Sequence, residues 1–260
     1  MADDASALVT HDANEVEEIV SLKRGGQASL ANFDIDGTML TAWAIHSKVY
    51  EATVHSIYGV RNFNFRVHYN PGDTVVEVIR SNLLHLDYLP EFIEKGVGRI
   101  NETMEKYYKE YLPEGEIVVL PGVGRLLSRL KQRGIALNIV TGNRKVAAEM
   151  FLEKAGLTEY FDSVITSDHA PTRKEKLLLS IELSRKATGK EYQRQNVFYF
   201  DDSLHSIPVS KELRIKSVAV ATGETTEDAL REAGPNFIFK DLKNTDAVIR
   251  TIFSKKKITR

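Results

Sequence analysis

The 260-residue chain contains no cysteine. Disulfides and cysteine-ligated zinc are therefore excluded. Net charge is nearly absent too, at −1 with histidine neutral. No global field draws the chain toward nucleic acid or an anionic membrane. No apolar run reaches membrane-spanning length, and there is no internal repeat or low-complexity tract. The opening "MADDASALVTHDANEVEE" is acidic and polar, unlike a secretory signal. The histidines show no zinc-binding spacing. A soluble, cytoplasmic protein with no nucleic-acid or membrane partner is the expectation. Hydrophobic residues make up 42% of the chain, enough for a real core. The length suits one large domain or two small ones.

Residues 1–28 read as a polar lead-in with one short helix near 15–24. The "RGG" at 24–26 reads as a loop, because no strand precedes its glycines. "SLANFDI" is the first strand signal. Further on, "IALNIVTGN", "YFDSVITSD", "NVFYFDD" and "IKSVAVATG" are short apolar strands. Between and after them lie the helical stretches "PGVGRLLSRLKQRG", "RKVAAEMFLEKAG", "RKEKLLLSIELSRKA" and "TTEDALREAG". "NFIFKD" and "LKNTDAVIRTIFSK" close the chain. Such alternation predicts an α/β fold, a Rossmann-like parallel sheet with helices on both faces. Chemistry in such sheets sits beyond the carboxyl ends of the strands. Asp34, Asp36, Thr141, Asn143, Asp201 and Asp202 stand at predicted strand ends and should converge.

One spacing is too long. A strand–helix–strand step takes about 30 residues, yet about a hundred separate Asp34 from the strand at 135–141. The surplus has helical period throughout. It predicts an all-helical module at 42–117, inserted into a core made of 29–41 and 118–260. "NPGDT" at 70–74 reads as a turn capping a helix that begins near Thr74.

"NFDIDGTML" raises the chemical question. Asp34 and Asp36, two apart, point to the same side of an extended chain. Their repulsion calls for a divalent cation or a developing positive charge. With "DIDGT" (34–38), three further pieces follow in order: "NIVTGN" (138–143), a lysine opening a helix in "RKEKLLL", and "VFYFDDS" (197–203). Together they resemble the four motifs of the haloacid dehalogenase-like hydrolases, among them the phosphatases with a helical cap. The resemblance spans roughly 29–253.

That resemblance implies a Mg²⁺-dependent enzyme acting on a small phosphorylated metabolite, as monomer or homodimer. Asp34 is then the nucleophile, forming an aspartyl-phosphate. Asp36 is the general acid and then the base. Mg²⁺ is held by Asp34, the backbone carbonyl of Asp36, Asp202 and Asp201. Gly37, Thr38, Thr141, Gly142 and Asn143 surround the phosphoryl group. Thr141 also suits the N-cap of the following helix. Lys174 is the preferred third-motif lysine, with Lys176 close behind. An acid at 36 argues for phosphate ester hydrolysis or phosphoryl transfer between sugar positions. Phosphoglycolate phosphatase-like activity is the nearest expectation for substrate. A phosphomutase of the β-phosphoglucomutase type and a non-catalytic binding protein on the same fold are the alternatives. The latter's support is Ser206, which stands where the fourth motif often carries a further acid. Arg80, His85 and Lys95 are the candidates from the insert for contacting substrate. Among the histidines, His205 is the one expected near the site.

Overall fold

In the computed structural model, residues 28–69 and 73–253 are described. The helix expected near 15–24, the loop at 24–26 and part of the turn at 70–74 lie outside them. Six parallel strands form the main sheet, in the order β5-β4-β1-β6-β7-β8. They are β1 (Leu30–Phe33), β4 (Ala136–Val140), β5 (Ser163–Ile165), β6 (Val197–Asp201), β7 (Lys216–Val220) and β8 (Phe237–Phe239).

Period-two alternation divides the central strands between two apolar clusters. Phe33, Leu137, Ile139, Phe198 and Phe200 face one cluster. There α4 (Val123–Gln132), α5 (Lys145–Lys154) and the last described helix (Thr245–Phe253) supply Leu126, Phe151 and Ile249. Leu30, Val140, Val197 and Tyr199 face the other, where α6 (Arg173–Thr188) supplies Leu177. Helices therefore cover both faces, which is why the strands read as continuous apolar runs. The α6 face also buries amides. The Ser180 hydroxyl donates to Asn32 Oδ1 at 2.7 Å, and Asn138 Nδ2 donates to Ser184 Oγ at 2.8 Å.

The long first crossover is helical. It holds α1 (Trp43–Tyr58), α2 (Val75–His85) and α3 (Pro90–Tyr111). At its foot, β2 (Leu40–Thr41) pairs antiparallel with β3 (Val118–Val119), so the two ends of this segment are adjacent. Helices α1 and α3 pack lengthwise. Their buried residues follow helical spacing: Ile45, Val49 and Thr53 on α1, and Ile93, Gly96, Ile100 and Met104 on α3. Gly96 permits the approach, because a Cβ there would stand 2.4 Å from the Tyr58 ring. The apolar cluster is continuous from Phe33 and Phe200 of the sheet to Val54 and Ile79 of the insert.

Two elements were not expected from the sequence. One is the β2–β3 ribbon, whose two-residue strands are too short to show a period. The other is α7 (Ser206–Leu213), the crossover from β6 to β7. Its "SIPVSKEL" carries Pro208 in the first turn, where the missing N–H has no helical partner in any case.

Helix α6 matters because its first turn reaches the strand ends. It opens on a reciprocal cap. The Thr172 hydroxyl accepts from Glu175 N–H at 3.2 Å, and the Glu175 carboxylate accepts from Thr172 N–H at 3.1 Å. Thr172→Ala should lower the unfolding free energy by about 1 kcal/mol. Urea denaturation at unchanged slope measures this, and an unmoved midpoint would exclude the cap as a stabilising element.

Candidate active site

The chain leaves β1 still tied to the sheet, with Asp34 N–H donating to Phe200 O at 3.0 Å. Asp34 and Asp36 open toward one cavity, while Ile35 between them is fully buried. The turn then closes tightly. Met39 and Leu40 N–H both donate to Ile35 O, and Gly37 N–H donates to Leu40 O. Gly37 has φ +74°, a region that disfavours side chains. Strand β6 ends on Asp201, with Asp202 next. Carboxylate oxygens of Asp34, Asp201 and Asp202 lie within 4.8 Å of one another.

Each acid has a different environment. Asp202 is wedged between two glycines. A Cβ on Gly37 would stand 2.4 Å from Asp202 Oδ2, and one on Gly223 would stand 1.6 Å from it. The Thr38 hydroxyl, fully buried, donates to Asp202 Oδ1 at 3.3 Å. The Gly223 loop is held close by Thr222, whose hydroxyl donates to Gly37 O at 2.6 Å. Asp201 already has partners on both oxygens. Oδ1 accepts from Ser203 N–H at 2.7 Å, and Oδ2 accepts from the Arg173 guanidinium. Arg173 also lies over the Tyr199 ring, 5.7 Å from its centroid.

Asp34 and Asp202 are the least compensated. Burial, then the Asp201 charge, pushes Asp34 up to about 7 and Asp202 up to about 8. Asp36 goes the other way. Burial opposes its charge, but His46 and Asn143 outweigh burial and hold its carboxyl below the usual range. His46 Nε2 lies 3.0 Å from Asp36 Oδ1, and Asn143 Nδ2 donates to Oδ2 at 2.7 Å. His46 Nδ1 meets the Tyr108 hydroxyl at 2.7 Å. Asp36 accepts, so Nε2 carries a proton; in the neutral ring Nδ1 then accepts from Tyr108.

The lysine at the site is Lys176, a correction to the preference for Lys174. Lys176 is buried, and its ammonium donates to Thr141 O at 2.8 Å. Burial, then the neighbouring Arg173 charge, pulls it down to about 8. Lys174 is exposed and pairs with Glu212. The reason is helical phase. Arg173 and Lys176 are three apart on one face of α6, and Lys174 is turned off it.

Thr141, Gly142 and Asn143 wall the cavity. Thr141 is not the helix cap, since that position belongs to Arg144; its hydroxyl accepts from Asn143 N–H at 3.2 Å. Gly37 and Thr38 stand behind Asp202, not on the cavity wall. Arg80 pairs with Glu94 at 2.8 Å, the His85 ring packs on His68, and Lys95 and His205 are exposed. Ser206 is buried and its hydroxyl donates to Ser203 O at 2.7 Å. None of these five residues walls the cavity.

Sequence reasoning missed His46, Tyr108, Arg173 and Gly223. A faint signal existed for two of them. Arg173 opens the helix that carries the candidate lysines, and Gly223 follows a strand ending beside β6. His46 and Tyr108 come from helices of the insert, whose approach to the sheet no local pattern reveals.

Residues 32–220 match the family described as haloacid dehalogenase-like hydrolase. The chain belongs to the haloacid dehalogenase-like hydrolases. It is similar to the phosphoglycolate phosphatase of Agrobacterium fabrum, 27% identical over 228 residues, covering 87% of this chain and 94% of that protein. It is also similar to pyrophosphatase PpaX of Oceanobacillus iheyensis, 22% identical over 227 residues, 85% of this chain and 97% of that one. The crystal structure of β-phosphoglucomutase from Clostridium difficile shares the fold, with TM-score 0.63 at 17% identity, covering 87% of this chain and 97% of that one. The acid cluster suits a divalent cation: hard oxygen donors, dense negative charge and incomplete compensation.

Two outcomes follow from this geometry. Gly223→Ala should force the Asp202 carboxylate aside and lower activity about a hundredfold, with little change in fold. Phosphate release and circular dichroism check it, and near-normal activity would show that the contact is relieved cheaply. The second concerns pH. The unfolded carboxyls lose protons near 3.8, while folded Asp34 and Asp202 keep theirs to about 7 and 8. Between those values the folded state binds more protons, so stability in chelator should fall as pH rises and level off above about 8. Melting curves from pH 5 upward should show a smaller fall in Asp202→Asn, and an equal fall would remove Asp202 as a cause.

Proposed function

We propose that this chain is a Mg²⁺-dependent phosphatase that hydrolyses a small phosphorylated metabolite through an aspartyl-phosphate. The observation that carries this reading is the split environment of two acids on one turn. Asp34 lies among carboxylates of which Arg173 pairs with Asp201, while Asp36 is held by His46 and Asn143. With no cation bound the order is the reverse of what a nucleophile at Asp34 and a proton donor at Asp36 need, Asp34 high and Asp36 low. A cation on the acid cluster would lower Asp34, and Asp36, outside that cluster, is the acid left free to exchange a proton.

In the first step Asp34 attacks phosphorus, and the bond to the leaving oxygen breaks. Asp36 protonates that oxygen. The arriving phosphate dianion raises Asp36's affinity for a proton, which it takes from solvent before giving it to that oxygen; the His46 Nε2–H holds the Asp36 carboxylate in place. In the second step Asp36 takes a proton from water, the water attacks phosphorus, and Asp34 is restored as phosphate leaves. The Thr141 hydroxyl binds a phosphoryl oxygen, and Lys176 with Arg173 offsets its charge. The carboxylates of Asp34 and Asp202 and the Asp36 carbonyl would hold Mg²⁺, which when bound keeps Asp34 ionised and neutralises the phosphoryl oxygens. Asp201 acts as the anchor of Arg173. The helices between Thr41 and Val118 act as a cap, since His46 and Tyr108 reach the cavity from them.

Asp34→Asn should abolish phosphate release, because an amide does not attack phosphorus. Asp36→Asn should lower it about a hundredfold or more. EDTA should silence the wild type and Mg²⁺ restore it. Release near wild-type rate from Asp34→Asn, or full activity in EDTA, would end this reading.

A further inference from the structure

The two walls of the cavity differ in chemistry. The sheet side carries the acids with Arg173 and Arg144, and those two guanidiniums pair with Asp201 and Asp168. The insert side is aromatic. Trp43, Tyr50, Phe65 and Tyr69 form one ring cluster, with Tyr50 and Phe65 stacked at 4.4 Å and Tyr69 edge-on to Phe65 and Trp43. Among the described residues, no lysine or arginine of the insert walls this cavity; its charged member there is Asp73. The core adds Glu224, which pairs with Arg66. Arg66 in turn lies over Trp43, 5.2 Å from its centroid, so this aromatic face already accepts a cation.

Resting on the phosphatase reading above, we infer that the substrate's leaving group is an alcohol without an anionic group, held by a flat or apolar surface against Trp43 and Tyr69. A carboxylate or second phosphate would enter an aromatic wall beside Asp73 and Glu224. There it would lose water, and the guanidiniums nearest to it, Arg66 and Arg144, are already paired with Glu224 and Asp168. The phosphoryl anion itself remains on the sheet side, beside Arg173 and the acid cluster that suits a cation. 2-Phosphoglycolate and sugar bisphosphates are therefore poor substrates. The specificity of this chain differs in that respect from the activity named for its Agrobacterium fabrum relative.

The test compares kcat/KM for benzyl phosphate, 2-phosphoglycolate and the neutral amide of 2-phosphoglycolate. Both small esters share one alcohol skeleton, so their ratio isolates charge from size. Benzyl phosphate should exceed 2-phosphoglycolate roughly tenfold or more, and the amide should also exceed the acid. Trp43→Ala should raise KM for benzyl phosphate more than for the amide. Val75→Lys, which sets a cation on the insert wall, should improve 2-phosphoglycolate relative to benzyl phosphate. Wild-type preference for 2-phosphoglycolate, or equal rates for acid and amide, overturns the inference and leaves the phosphatase reading standing. Acetyl phosphate, which has no such alcohol, serves as control. No Mg²⁺-dependent release from any of the four compounds overturns both.

Discussion

Charge repulsion at the ends of β1 and β6 governs this structure. Four aspartates meet there, Asp201 fully buried and the others half-buried. Two unit charges 4 Å apart near a protein surface repel by about 4 kcal/mol. A net hydrogen bond returns only about 1 kcal/mol. Hydroxyl donors such as Thr38 therefore orient the acids but do not neutralise them. Cationic partners are required, and the fold supplies them unevenly. Arg173 answers Asp201, while Asp36 is met by hydrogen bonds from His46 and Asn143. Asp34 and Asp202 keep a deficit that a divalent cation fits.

Much of the surrounding architecture serves that arrangement. Gly37 and Gly223 leave space on two sides of Asp202 where a methyl group would collide. The reciprocal cap at Thr172 fixes the start of α6, and with it the positions of Arg173 and Lys176. Lys176 is drawn under the carbonyl of Thr141, joining the second motif to the third. The acids thus depend on several elements that are distant in the chain.

The insert contributes differently. It shares one apolar cluster with the sheet and closes on its own two-strand stem. Tyr108 and His46 extend a polar chain from its helices to Asp36. Its remaining surface on the cavity is aromatic. One side of the cavity is therefore suited to a phosphoryl group and the other to whatever body carries it.

The sheet and its outward chemistry were readable in the sequence, because strand burial and helix amphipathicity leave local periods. "DIDGT" and "VFYFDD" marked the acids for the same reason, since polar residues directly after an apolar strand are costly without a purpose. The lysine was not readable. Lys174 and Lys176 differ only in helical phase, and phase depends on where the first turn begins, here at Arg173. His46 and Tyr108 left no trace, because their role depends on how two helices of the insert lean on the sheet. Gly223 is silent for the same reason: its neighbour Asp202 is 21 positions away in the chain. The sequence by itself determined which residues bear charge and which strands carry them. Only the tertiary structure decided which charges are answered, because compensation depends on distances between elements, and no local period encodes those.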